Sequence, residues 1–453
     1  MHRIRRGLDL PLPGRPAGAI EDGPAVTQVA VLAADFPGLK PGMEVRVGDP
    51  VRCGQRLFHD KSAPDVGFAA PVAGRVAAIH RGERRKLLSV VIDLATADGP
   101  DAGETGFDSY TAAPPEALNA EAVRALLLES GLWTAFRTRP YSRVPDPGSI
   151  PSAIFVTAID SHPLAPDPEL VLQGREADFE TGLRVVSRLT PGATYLCTRA
   201  RSHLRTPADS GIRHERFEGP HPAGLPGVHI HLLDPVHREK TVWHLGYQDV
   251  AAIGALFCTG RLDSRRVVAL AGPGVRRPRL VRTHLGARVS ELLADQLVPG
   301  RHRVIAGSVL GGHSADAETN DFLGRYHNQI SVLPEGDERE MLGWLKPGGR
   351  VFSVTKAFWA ALRPPRRFDF STTTNGAARP MVPIGTYERV MPMDIEATFL
   401  LRSLITGDVE LAEQLGCLEL DEEDVALATF VCPGKYEYGP MLRELLERIR
   451  EDL

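Results

Sequence analysis

The sequence contains no long hydrophobic run, and this absence argues against a chain that spans a membrane by itself. No apolar segment approaches the roughly 18 to 20 residues that a transmembrane helix requires. The first residues, MHRIRRG, lead into a stretch rich in glycine and proline instead of an apolar core, so we expect no signal peptide. Any association with a membrane is therefore expected to be indirect, through a partner.

Cysteine and an excess of positive charge are also lacking. Five cysteines are spread over 453 residues, and this odd number at wide spacings fits reduced thiols in a cytoplasmic compartment. The 53 basic side chains are outnumbered by 57 acidic ones, so the net charge is −4 and no nucleic-acid partner is expected. With 43% hydrophobic and 24% charged residues, the composition is that of an ordinary globular protein.

The residue patterns predict an α/β multidomain protein, because 453 residues exceed what one hydrophobic core usually fills. Residues 1–100 combine an N-terminal lead with short strands between glycine and proline turns, which predicts a small β domain. Residues 101–260 alternate strands with helices and predict a Rossmann-like open α/β sheet. Residues 261–336 follow the order strand, strand, helix, strand of a β-grasp (SLBB-like) unit, and the helical stripes of residues 337–453 predict a helical domain.

The β domain resembles the lipoyl and biotinyl carrier domains, which are barrel-sandwich hybrids. The resemblance lies in VRVGDPV from Val45, in the pair Asp60 and Lys61, and in APVAGRV from Ala70. It implies that Lys61 falls near the hairpin where carriers hold a modified lysine. The sequence has no clear biotin-type Met-Lys-Met tip, so we expect a structural module, with carrier function of Lys61 as the alternative.

Residues 129–145 are the candidate binding loop. Aromatic residues alternate there with arginines, and Pro140, Pro145 and the nearby Pro147 exclude a long helix. Planar rings beside guanidinium groups suit a flat ligand that carries oxygen atoms. The alternative is a basic surface loop whose rings cover a domain edge. The candidate residues are Trp133, Phe136, Arg137, Arg139, Pro140 and Tyr141.

Three other features are weighed in the same way. Residues 159–168 form a polar loop after a predicted strand, where ligands of open sheets usually bind, so they are a candidate second wall. Seven of the fifteen histidines fall in residues 203–244, and His229 and His231 are predicted to share one face of a strand. No further ligand stands at a zinc-like spacing, so we predict no metal site. The glycines near Gly272 and Gly307 lack a phosphate-loop ending, which predicts turns.

Five unusual segments carry a resemblance to one family over nearly the whole length of the chain. These are GLDLP from Gly7, HPAGLPGVHIH from His221, GRYHNQISVL from Gly324, MVPIGTYERVMP from Met381 and FVCPGKYEYGP from Phe430. Together they resemble the NqrA family, one of the components of the sodium-translocating NADH:quinone reductases.

The resemblance implies a peripheral subunit on the cytoplasmic face of the bacterial inner membrane. The complex it implies has six subunits, oxidises NADH, reduces ubiquinone and exports sodium. Contacts are implied with the other five subunits, above all with NqrB in the membrane. Ubiquinone is the implied substrate, and this subunit is expected to hold no FMN, no Fe-S centre and no other tightly bound cofactor.

The same family is distantly similar to the flavin subunit of complex I and to RnfC of the Rnf complexes. Those relatives hold the flavin phosphate on a glycine-rich loop, whereas the corresponding residues 131–141 retain one glycine. They also bind a cluster through closely spaced cysteines, while this tail offers only Cys417 and Cys432. Both departures agree with a subunit that has lost its electron carriers.

The leading hypothesis is that residues 129–145 help to form a quinone site. Arg137 or Arg139 would donate to a quinone carbonyl while the neighbouring rings flank the head group. His162 and His221 are candidates for a proton relay, since imidazole titrates near neutral pH. Two alternatives stay open: a pure scaffold, in which a membrane subunit supplies the quinone pocket, and a flavin enzyme in its own right.

Overall fold

The structure, a computed structural model, describes residues 1–95, 103–208, 210–336, 347–349, 351–355, 358–362, 367–368 and 370–452. It confirms the predicted fold class: a barrel-sandwich hybrid, an open α/β sheet, a β-grasp sheet and a helical tail. The predicted limits at 100/101 and at residue 337 lie outside the described residues, so these boundaries stay a prediction.

The N-terminal lead belongs to the sheets of two later domains. Its first strand, β1 (His2–Arg3), pairs in parallel with residues 217–218, and its second, β2 (Ile20–Asp22), pairs in parallel with residues 280–282. The sequence analysis had grouped this lead with the β domain. Strands of two or three residues are too short to show a periodic pattern, which is why the pairing was not predicted.

The β domain is a sandwich of two small sheets. Its strands are β3 (Gln28–Leu32), β4 (Pro41–Met43), β5 (Pro50–Val51), β6 (Arg56–Asp60), β7 (Ala63–Ala69), β8 (Gly74–Arg81) and β9 (Leu87–Leu94). One sheet has the order β3-β9-β8-β5 and the other β4-β6-β7. On β9, Val90 and Ile92 fill the sandwich, while Val91 on the opposite face packs with Phe322 of the β-grasp domain. Because successive side chains of a strand point to opposite faces, β9 packs both inside the sandwich and against the β-grasp domain.

The second domain is a mostly parallel sheet with helices around it. Its elements are α1 (Ala120–Glu129), β10 (Arg137–Arg139), β11 (Ala153–Ala158), α2 (Pro168–Val171), α3 (Glu176–Val186), β12 (Ala193–Arg199), β13 (Arg213–Glu218), α4 (Pro226–Leu233), β14 (Val242–Gly246) and α5 (Tyr247–Thr259). The sheet order is β1-β13-β12-β11-β14-β10, and β10 alone is antiparallel to its neighbour.

Helices α3 and α5 cross at a distance that only glycine permits. A Cβ atom on Gly254 would lie 1.8 Å from the carbonyl oxygen of Asp178, and one on Gly182 would lie 1.9 Å from that of Val250. A larger residue at either position would force the helices apart. The crossing fixes α5, whose first turn follows β14 directly at the carboxyl end of the sheet.

The third domain confirms the predicted β-grasp order. Its elements are β15 (Arg265–Ala271), β16 (Arg279–His284), α6 (Val289–Leu292), β17 (His302–Ala306), β18 (His313–Ser314) and β19 (Gln329–Pro334). The sheet order is β18-β17-β19-β15-β16-β2, so the lead strand β2 closes one edge.

The tail contains α7 (Thr386–Val390), α8 (Ala397–Thr406), α9 (Val409–Gln414), α10 (Glu422–Val431) and α11 (Tyr438–Glu451), which confirms that the tail is helical. Asp421 caps α10 in a reciprocal capping box with Asp424. Buried side chains of these helices form a second hydrophobic core, which Tyr141, Leu225 and Val228 of the α/β domain also enter. Among the described residues, no helix combines the length and the apolarity that crossing a membrane would require.

Candidate functional site

A deep cleft lies where all four domains meet. Its volume is about 1350 Å³. The β domain contributes residues 32–37 and 86–88, the α/β domain the ends of β11 and β14, the β-grasp domain residues 307–314, and the tail the start of α10. Ile159, Asp160 and His162 line it, so the loop after β11 lies at the cleft, and its role as a wall of a ligand site stays a prediction.

The candidate binding loop enters this junction through a tight turn. Gly131 has a φ of 75°, and a Cβ atom there would lie 2.7 Å from the Cβ of Ala69 in the β domain. Only glycine accommodates both conditions without strain. The chain then runs through residues 132–135 into the edge strand β10. The one glycine that this segment retains is therefore a packing requirement.

Trp133 and Phe136 lie in the core instead of on a surface loop. Both side chains are fully buried, and Trp133 packs edge to face on Trp243 with ring centroids 5.2 Å apart. The indole N–H of Trp133 donates to the carbonyl of Pro145 at 2.8 Å. Aromatic burial of this size anchors the segment to the sheet. A contact of either ring with quinone stays a prediction, and neither ring lines the cleft.

Arg137 is the member of the predicted set that lines the cleft. Its side chain is 22% exposed, and its guanidinium carbon lies 4.5 Å from the ring centroid of Tyr326. The nearest carboxylates, Asp421 and Glu423, are 3.8 and 4.0 Å away, beyond hydrogen-bond distance. Within the part of the chain that the structure describes, its guanidinium forms these two long ion pairs and no side-chain hydrogen bond. The stacked cation thus borders the cleft while its carboxylate partners lie beyond hydrogen-bond distance.

Arg139 holds the helical tail to the α/β domain. Its fully buried guanidinium lies 2.9 Å from Asp421, 3.0 Å from Glu423 and 3.3 Å from Asp424. Burial alone would lower the pKa of Arg139, but these carboxylates raise it above its usual value, so the side chain stays charged.

Pro140 and Tyr141 lie at the same contact between the domains. The bond between Arg139 and Pro140 is cis. Tyr141 is 8% exposed and has a φ of 77°, and its carbonyl accepts from Arg443 of α11 at 2.7 Å. Neither residue lines the cleft, so a quinone contact for them also stays a prediction.

The two predicted relay histidines, His162 and His221, are neighbours whose pKa values shift in opposite directions. Their ring centroids are 5.0 Å apart. Burial opposes the charged form of His162, but Asp160, whose Oδ1 lies 2.9 Å from Nδ1, raises the pKa of His162 above its usual value. Burial lowers the pKa of His221 well below its usual value. Only His162 lines the cleft, so it is the candidate proton donor there.

A buried ion-pair group that the sequence analysis did not find lies beside the first turn of α5. The carboxylate of Asp249 pairs with Arg266, and with Arg325 at 2.8 Å. Burial lowers the pKa of Arg266 to about 10. Two guanidinium groups share one carboxylate, so this side of the cleft carries positive charge. The three residues are up to 76 positions apart in sequence, which gives no local signal.

An acidic wall formed by Asp421, Glu422 and Glu423 faces the cleft from α10. This run caps the amino end of α10. The same run also binds Arg139 and Arg443. Burial raises the pKa of Glu422 to about 7, and burial likewise raises the pKa of Asp35, on the β-domain side, to about 6. These carboxyl groups therefore titrate close to neutral pH.

The predicted strand around His229 and His231 is wrong, because both residues lie on α4. His229 is buried, and His231 joins α4 to the tail, where Nδ1 lies 2.8 Å from Glu419 and Nε2 accepts from the backbone N–H of Asp394 at 2.9 Å. Pro226 suits the first turn of a helix, but the spacing of His229 and His231 was interpreted as that of a strand. In the described ranges, no three His, Cys, Asp or Glu side chains come together as a metal site would need.

The fold and the cleft define a class: a multidomain α/β protein with a large cleft, lined by both apolar and charged residues, at a four-domain junction. Family models match an NqrA N-terminal barrel-sandwich hybrid domain over residues 2–95, an NqrA second alpha/beta domain over 118–262 and an NQRA C-terminal domain over 267–317. The chain is 55% identical over 452 residues to the NqrA component of the Na(+)-translocating NADH-quinone reductase of Cellvibrio japonicus, and 53% identical to that of Serratia proteamaculans, with 100% of each chain covered.

The chain therefore belongs to the NqrA family of the Na⁺-translocating NADH-quinone reductases, and it is one component of a multisubunit oxidoreductase. Among solved structures, an NAD⁺-reducing NiFe hydrogenase matches with a TM-score of 0.36 and 14% identity, over 49% of this chain and 48% of that chain. That likeness is too low to support an argument.

Proposed function

We propose that this protein binds the head group of ubiquinone in the four-domain cleft and takes part in its reduction within the sodium-exporting complex. The observation that carries the proposal is Arg137, a stacked guanidinium at the cleft whose carboxylate partners lie beyond hydrogen-bond distance. A quinone carbonyl gains negative charge on reduction, and a fixed cation stabilises it. The cleft volume of about 1350 Å³ accommodates the head group together with the start of its isoprenoid tail.

Reduction to ubiquinol also requires two protons, and His162 is the donor in this proposal. Its ring lines the cleft, and Asp160 favours its charged form. Asp35 and Glu422, with pKa values of about 6 and 7, would resupply protons from opposite walls. His221 remains a second relay member behind His162.

The proposal assigns no flavin or Fe-S centre to this subunit, so electrons would arrive from a partner. The segment from Gly131 is packed with Trp133 and Phe136, which supports the absence of a phosphate-binding backbone loop there. The subunit would lie peripherally on the cytoplasmic face of the inner membrane. It would contact the other five subunits, above all NqrB in the membrane.

Replacement of Arg137 tests the quinone site directly. Arg137→Ala is expected to weaken binding of a short-chain ubiquinone by about 10- to 100-fold, because a hydrogen bond to a charged group contributes about 1.5–3 kcal/mol. Titration calorimetry on the full chain measures the affinity. Arg143→Ala is the matched control, since Arg143 lies on the same loop, pairs with Glu447 and does not line the cleft.

A scaffold is the second candidate function, and the buried clamp of Arg139 favours it. In that case NqrB alone would form the quinone pocket, and the isolated chain would show no saturable binding of short-chain ubiquinone. Equal affinities of the Arg137→Ala variant and the wild-type chain would also favour the scaffold.

The pH dependence of His162 provides an independent test. In Asp160→Asn the pKa of His162 is expected to fall, because the amide no longer favours the charged ring. Proton NMR of the His162 ring follows its titration midpoint. Because the folded pKa lies above the usual value of 6.5, the pair stabilises the protein fully below that value, and this stability is lost as pH rises through the folded pKa. Urea unfolding of the Asp160→Asn variant should therefore show no such loss of stability as pH rises. An unchanged NMR titration midpoint of His162 in this variant would contradict the assignment.

A further inference from the structure

The hairpin between β8 and β9 carries an unusual concentration of positive charge. We define the basic hairpin as residues 81–86, with the sequence RGERRK. Arg81, Arg84, Arg85 and Lys86 are all exposed, and Glu83 is the single acidic side chain among them. Within the described ranges none of the four cations forms an ion pair. The tip thus presents a net charge of +3 to its surroundings.

The backbone of this hairpin is held in a conformation that arginine disfavours. Arg84 and Arg85 have φ values of 52° and 61°, in the left-handed region. Each non-glycine residue there costs about 1–2 kcal/mol, and Asn-Gly is the preferred pair for such a turn. Residues held in such a disfavoured backbone conformation are often found at functional sites. Here the sequence places two arginines where the fold alone favours small residues.

The basic hairpin also borders the cleft. Lys86, Leu87 and Leu88 line the cleft, so the strand that leaves the hairpin forms part of its wall. Glu422, Glu437 and Glu444 also border the cleft, but they belong to the start of α10 and the region of α11. Lys86 therefore brings positive charge from the hairpin to the β-domain side of the cleft.

We propose that the basic hairpin binds the anionic phospholipid headgroups of the membrane and thereby sets the cleft opening against the bilayer. The inference rests on the proposed function, since a cleft that receives quinone must open toward the lipid phase where quinone dissolves. Clusters of four to eight basic side chains are typical of binding to anionic lipid. The tip carries no exposed apolar anchor that a protein interface would favour.

Vesicle sedimentation of the full chain tests the proposal. Wild-type protein is expected to bind vesicles of equimolar phosphatidylcholine and phosphatidylglycerol and to dissociate from them at high salt. It should not bind vesicles of pure phosphatidylcholine. Arg84→Asn/Arg85→Gly is expected to bind about 30-fold more weakly, at about 1 kcal/mol per basic side chain. This variant suits the backbone conformation and relieves strain, so loss of binding would not reflect loss of folding.

Arg5→Ala/Arg6→Ala removes the same charge from two exposed arginines elsewhere and should retain vesicle binding. Equal weakening in both variants, or absence of wild-type binding to anionic vesicles, would overturn the proposal. If the hairpin variant instead loses partner subunits from the detergent-solubilised complex while vesicle binding is retained, the hairpin binds an acidic protein surface and the lipid assignment is wrong. Short-chain quinone affinity, measured without vesicles, should be unchanged in the hairpin variant, so failure of the quinone site and failure of the lipid site are distinguishable.

Discussion

Arg139→Ala is expected to lower the free energy of unfolding by about 3–5 kcal/mol, the cost of removing one partner from a buried ion pair. The substitution would leave Asp421, Glu423 and Asp424 close together without their shared cation. Urea unfolding measures the loss, and limited proteolysis should show the tail helices cleaved before the α/β domain. The loss should shrink as pH falls, because the carboxylates then lose the charge that repels them.

Arg143→Ala is the control for this experiment. Arg143 lies on the same loop and pairs with Glu447, but its side chain is 28% exposed. Solvent weakens such a pair, so the expected change is below about 1 kcal/mol. Comparable losses in the two variants would mean that Arg139 does not act as a clamp between the domains.

Trp133→Ala is expected to cost about 3–5 kcal/mol of stability, because it removes a large buried ring and leaves a cavity. The carbonyl of Pro145 would also lose its hydrogen-bond donor. Thermal unfolding followed by circular dichroism gives the change. The exposed Trp359, with 70% of its surface accessible, is the control, and Trp359→Ala should stay within about 0.5 kcal/mol of wild type.

This variant also separates the two interpretations of the aromatic loop. If Trp133 flanks quinone, a variant that remains folded should lose affinity for short-chain ubiquinone without a large loss of stability. The buried position predicts the reverse, a large loss of stability with the remaining folded fraction binding quinone as wild type does.

The sequence predicted the long, strongly patterned elements well. The apolar runs that form β11, β15 and β17 leave little ambiguity, which is why the order of strands and helices in the two middle domains was predicted. The acidic run at Asp421 is likewise a local signal for the start of α10, because carboxylates favour the amino end of a helix. Local patterns thus determined most of the element list.

The candidate site was predicted less completely, because its residues meet only in three dimensions. Alternation of rings and arginines in residues 129–145 suggested one binding loop, whereas the fold divides its side chains among three environments. Trp133 is in the core, Arg137 borders the cleft, and Arg139 lies between domains. Arg137 contacts Tyr326 and Arg139 contacts Asp421. Both partners are distant in sequence, so no local pattern predicts these contacts.

The pairing of β1 and β2 with distant sheets has a consequence for how the chain is assembled and handled. Strand β1 is synthesised more than two hundred residues before its partner β13. A fragment that begins at residue 101 would expose a bare edge on β13 and another on β16, each able to recruit a foreign strand. A fusion tag attached at Met1 would lie directly beside β1 at the edge of the α/β sheet. A tag after α11 would follow exposed residues that belong to neither sheet.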